Sequence, residues 1–137
     1  MLNFNPIQMK NILLVLVFFL TSITFAQTKT EWKEKEDFHI VMSETFHPSE
    51  EGKLEPIKTR IGEMVDAAIA WKNSSIPEGL DSKSIKKNLK KLVTDSKSLR
   101  KKINAGASDE VITAKLNKLH DLFHDIAGMC STKHEDK

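Results

Sequence analysis

Between residues 31 and 127, apolar side chains recur every three or four positions, and no stretch alternates apolar with polar as a half-buried strand would. The pattern predicts helices alone. The first runs from about Glu31 to His47, with Phe38, Val41, Met42 and Thr45 on one stripe, and Pro48 is expected to stop it. After Ser49-Glu50-Glu51-Gly52, a second carries Leu54, Ile57, Ile61, Met64, Ala68 and Trp71, and ends in the longest loop, Asn73 to Gly79. A third, capped by Asp81 or Ser82, has the seam Ile85, Leu89, Leu92, Ser96, Leu99 and Ile103 and closes at Ala105-Gly106. Ser108, Asp109 and Glu110 open the fourth, whose seam is Ile112, Leu116, Leu119, Phe123 and Ile126. Four amphipathic helices of similar length with short loops predict an all-α, antiparallel up-down-up-down four-helix bundle.

The N-terminal segment follows a different pattern. Ile12 to Leu20 is an unbroken apolar run of nine, and Lys10 is the only charge before Lys29. A spanning helix needs about 20 apolar residues, and this run turns polar at Thr21 and Ser22. It reads as a cleaved signal peptide, residues 1–26, with the small residues Thr24 and Ala26 placed for a cut after Ala26. Met9-Lys10-Asn11 makes a tidier start for such a signal than Met1. The expected product is residues 27–130 as the helical domain with a polar tail, 131–137. It would be periplasmic or secreted, would not span the membrane, and has no cysteine at the cut for a lipid anchor.

The chain has 137 residues, 39% hydrophobic and 29% charged, with a formal charge of +2 and one cysteine. Cys130 has no internal disulfide partner, which leaves a free thiol, an intermolecular bond or a metal ligand. Charge is segregated. Glu31 to Glu55 holds eight acids and three bases, whereas Ser82 to Asn104 holds nine bases and one acid. The basic third helix has the charges a phosphate backbone would need. They also surround the apolar seam as a solvated face would, and an exported chain has no intracellular nucleic acid to meet. A Gly-rich phosphate loop, a GxSxG elbow and HExxH are all missing, as is a nucleophile with an evident base, so an enzyme is not expected.

The chemistry-bearing residues are the histidines. His120 and His124 stand four apart on the fourth helix and project from one face, as two ligands of one ion must. The first helix adds His39, Met42 and His47. On a helical wheel, His39 lies roughly 80° to one side of its stripe and His120 roughly 90° in the same sense, so the two flanks oppose each other in an antiparallel pair. If His47 stands beside Asp109, His39 lies about 12 Å and His120 about 16 Å below that end. The expected cluster is then His39, Met42, His120 and His124, with His124 near Trp32 and Lys35 and with His47 near the top. Imidazoles suit Zn, Cu or Ni ions and haem iron, and Met42 suits Cu(I) or haem. Histidines on the flank of a stripe are also ordinary boundary residues, and Met42 suits the core better than a ligand role.

Leu119-His120-Asp121-Leu122-Phe123-His124-Asp125, with the segment from Leu89 through Ala105-Gly106, resembles the last two helices of the cytochrome c-prime and soluble b-type four-helix cytochromes. The resemblance covers most of the chain after residue 26. It implies a haem between the first and fourth helices, His124 or His120 as axial ligand, and His39 or Met42 as the second. The c-prime attachment motif C-x-x-C-H is missing, because the only cysteine is Cys130 and His134 is wrongly spaced from it, so only non-covalent b-type haem is compatible. A bare ion asks for less room. The expected function is therefore an exported metal-binding bundle using His39, His47, His120, His124 and Cys130 to store, sense or carry an ion. The alternatives are a b-type haem protein in electron transfer and a cofactor-free interaction module. The expected partners are a metal ion or haem, another protein, or a second copy in a homodimer.

Overall fold

The computed structural model describes residues 32–131, so the signal segment, Met9 and His134 lie outside the described residues. Four helices make up the described chain, without strands: α1 (Lys33–Glu50), α2 (Glu55–Asn73), α3 (Ser82–Asn104) and α4 (Asp109–Ser131). The all-α expectation holds. Each helix packs on the next, and α4 closes back onto α1, whereas the backbones of α1 and α3 stay apart. Among the described residues no helix is long and apolar enough to cross a membrane.

Helix ends follow local chemistry. Asp81 caps α3 by accepting from the amides of Lys83 (3.1 Å) and Ser84 (3.2 Å). Gly52 and Gly106 adopt φ of 77° and 72° just past α1 and α3. At each, paired amides return to the last turn, Lys53 to Pro48 and Gly52 to Ser49, Ala107 to Lys102 and Gly106 to Ile103. Pro48 does not end α1, which continues to Glu50. Its missing N–H costs one bond near an end where the backbone is already being recapped by Lys53. Ser131, expected in the tail, is the last residue of α4.

The seams meet in one core. Phe38, Met42, Ile57, Met64, Trp71, Ile85, Leu92, Leu116 and Leu119 are all buried. Three buried hydroxyls each return a hydrogen bond to their own helix: Thr45 to Val41 O at 2.8 Å, Ser49 to Phe46 O at 2.6 Å and Ser96 to Leu92 O at 2.8 Å. Trp32, just before α1, donates Nε1–H to Ser74 Oγ at 2.7 Å and so ties the start of α1 to the end of α2. Its ring stands edge-on to Trp71, with centroids 5.8 Å apart. Phe38 and Phe123 complete that aromatic group, at 5.7 and 6.0 Å from Trp71 and 5.8 Å from each other. Trp71 Nε1 is buried without a hydrogen-bond partner. Its N–H lies among aromatic rings, a weaker class of acceptor.

Truncating Phe38 removes a fully buried ring on which two helices lean. Phe38→Ala should lower stability by about 3–5 kcal/mol. Ile40→Ala, two residues on but 48% exposed, should change it little. Urea unfolding followed by circular dichroism would show both, and equal losses would contradict this packing.

Candidate metal centre

The histidines line the seam where α4 closes on α1, but in a different register from the one the sequence suggests. His120 lies flat on Phe46, with ring centroids 3.7 Å apart and planes 4° apart. His39 stacks instead on Phe123, at 5.1 Å and 9°. The expected level pairing of His39 with His120 is thus replaced by two imidazole-on-phenyl stacks, one above the other along the seam. Lys58 Nζ, in the first turn of α2, donates to Asp109 Oδ1, in the first turn of α4, at 2.7 Å. The register of the two stacks raises every α4 residue relative to α1. Consequently it is Cys130, not His124, whose charge environment includes Lys35.

Each imidazole has a defined polar partner. His120 Nε2 and His124 Nε2 are 3.1 Å apart, with the rings near perpendicular at 80°. His47 Nδ1 is 3.0 Å from Glu50 Oε2, and His39 Nδ1 is 3.4 Å from Glu36 Oε1, each one helical turn away. A neutral imidazole that donates from Nδ1 to a carboxylate keeps its lone pair on Nε2, the arrangement that metal-binding histidines use. Two facing Nε2 lone pairs repel unless a proton or a metal ion lies between them. Burial pushes the His120 imidazole below its ordinary range; His124 and, more weakly, His47 push the same way, against Asp121 and Glu50. His120 is therefore biased away from carrying a proton charge.

The remaining expected ligands stand elsewhere. Met42 is 1% exposed and belongs to the core cluster, so its thioether is packing. Cys130 lies ten residues beyond His120, about 15 Å along α4. Burial raises its thiol above the ordinary value, with Lys35 opposing, and a thiol that keeps its proton is a weak ligand. Among the described residues no three His, Cys, Asp or Glu side chains gather closely enough to hold an ion. The sequence-level set of five ligands thus does not form one closed site. What the structure brings together is the His120–His124 pair, with His47 and Glu50 within electrostatic reach of it.

A haem does not fit these residues. The porphyrin would have to enter between α1 and α4, where Phe46 and His120 are in face-to-face contact and Phe38 meets Phe123. The methionine that would supply the second axial ligand is enclosed in the core. Glu36 and Phe46 escaped the sequence reading. The Glu36–His39 spacing of three was a usable signal, whereas nothing local marks Phe46 as a platform for a ring on another helix. Comparison with family models, curated proteins and solved structures returns no match for this chain. The reading of function rests on its own residues.

The depressed His120 basicity has a consequence for stability. In the unfolded chain the imidazole titrates at its ordinary value, and in the folded chain it titrates lower. The unfolded state then binds more protons as pH falls through that ordinary value, so stability should drop over this range and level off below the folded value. The urea midpoint of metal-free protein between pH 7.5 and 5 would report it. His120→Phe, which keeps a ring on Phe46, should flatten the profile; an unchanged slope would assign the effect to other groups.

Proposed function

We propose that this chain is an exported metal-binding protein, with residues 1–26 removed as a signal peptide and the remainder forming an antiparallel up-down-up-down bundle. The contacts of Trp32 with Ser74, Asn88 with Met129 and Lys58 with Asp109 favour that topology, because each joins the chain ends that such a bundle brings together. The ion is held on the α1–α4 seam. The observation that carries this reading is the approach of His120 Nε2 to His124 Nε2, 3.1 Å. A metal 2.05 Å from both nitrogens would then subtend about 98°, between the octahedral and tetrahedral values and so a usable bite for Zn(II), Cu(II) or Ni(II). Phe46 holds one ring in place, which lowers the ordering cost of chelation. Two protein ligands leave further positions open, so the ion exchanges readily, which suits a carrier or buffer better than long-term storage.

A second reading has its own observation. Lys83, Lys86, Lys87, Lys90, Lys97 and Lys101 on α3 are exposed. Among the described residues, Lys91 with Asp95 is the ion pair on that helix. The backbone of the acidic α1 is not a neighbour of α3. This cationic face suits an acidic protein partner, the cofactor-free alternative.

Thermal unfolding of chelator-stripped protein separates the two. Under the metal reading, Cu(II), Ni(II) and Zn(II) each raise Tm, Cu(II) most at equal concentration. His120→Ala and His124→Ala abolish the shift, while Cys130→Ser retains it. A Tm indifferent to all three ions would favour the interaction module.

A further inference from the structure

The His120–His124 pair is an incomplete site. It supplies two imidazole nitrogens, and Zn(II) in a closed protein site takes four ligands in a tetrahedron. Among the described residues no third His, Cys, Asp or Glu side chain joins the pair. His47 is engaged by Glu50, and His39 lies over Phe123 with Glu36 at its Nδ1. His124 is exposed and His120 half-buried, so the pair stands at the surface of the bundle. Beside them on α4, Asp121 and Asp125 are exposed acids and Gly128 has open space where a side chain would be. The formal charge of +2 on the whole chain opposes self-association little.

We propose that Zn(II) joins two copies of this chain across a two-fold axis, with His120 and His124 of each copy as its four ligands. This rests on the metal reading above. A two-fold arrangement satisfies the tetrahedron because each copy contributes the same chelating pair and the two pairs are set at right angles about the ion. The site is complete only in the pair of molecules, so metal occupancy and assembly state rise together. The ion then acts as a concentration-dependent switch between monomer and dimer.

Sedimentation velocity and zinc X-ray absorption on the protein purified from the extracytoplasmic fraction of cells expressing the full chain, stripped with chelator, would test this. With half an equivalent of Zn(II), the mass should double and the absorption spectrum should show four imidazoles per zinc. Excess chelator should restore the monomer. His120→Ala and His124→Ala should remain monomeric with unchanged helicity, and His47→Ala should dimerise as the wild type does. A monomer that binds one Zn(II) per chain, with His47→Ala releasing it, would overturn the dimer and leave the metal reading standing. Zinc uptake of zero would overturn both. A dimer that forms without zinc, or that persists in His120→Ala and His124→Ala, would overturn the bridging site alone.

Discussion

The contact of Phe38 and Trp71 with Phe123 sets how α4 closes against the rest of the chain, and the histidine geometry depends on it. Phe38 belongs to α1, Trp71 to α2 and Phe123 to α4, and all three ring pairs lie within 6.0 Å. Aromatic rings at that spacing bury large apolar areas and resist sliding, because a displacement along the helix would lift each ring out of contact with two others. Trp32 extends the group and hydrogen-bonds Ser74, so the junction of α1 and α2 is fixed from its polar side too. With Phe123 held, His124 follows as the next residue and His120 stands about one turn before it along α4.

The seam outside this aromatic group is where polar chemistry is concentrated. Phe46 and Phe123 each carry a buried ring with an imidazole laid on it, one from the opposite helix in each case. The stacks place the imidazoles at the border between core and water. There the nitrogen atoms stay reachable while the ring faces are desolvated. Burial lowers the basicity of His120, and its near neighbour His124 adds to that effect. The result is two imidazole Nε2 atoms held 3.1 Å apart, close enough to share a proton. Glu36 and Glu50 set the tautomer of the α1 imidazoles in the same sense.

The charge distribution divides the surface into two kinds. Bases on α1 and α2 sit beside acids: Lys33 with Asp37, Arg60 with Glu44 and Glu63, Lys58 with Asp109. On α3 the lysines face water along the side opposite the apolar seam. Exposed pairs of this kind contribute little to stability, so the lysine face is tolerated by the fold rather than required by it.

Much of the architecture was legible along the chain. The three-to-four spacing of Ile57, Ile61, Met64, Ala68 and Trp71, or of Ile85, Leu89, Leu92, Ser96 and Leu99, determines a buried helical face without reference to any other segment, because a helix repeats every 3.6 residues. Asp81, Gly52 and Gly106 mark helix ends for reasons equally local: a side-chain acceptor at a free amide and a backbone that can take positive φ. The i, i+4 spacing placed His120 and His124 on one face by the same arithmetic. What the sequence left open was the height of one helix against another. The level pairing of His39 with His120 assumed that α4 begins beside the end of α1, but the rings of Phe38, Trp71 and Phe123 interlock at a different offset. That offset is decided by side-chain shapes on separate helices filling one volume, and helical periodicity holds no information about it. The same packing took Met42 into the core, separated Cys130 from the histidines and closed the space a haem would need.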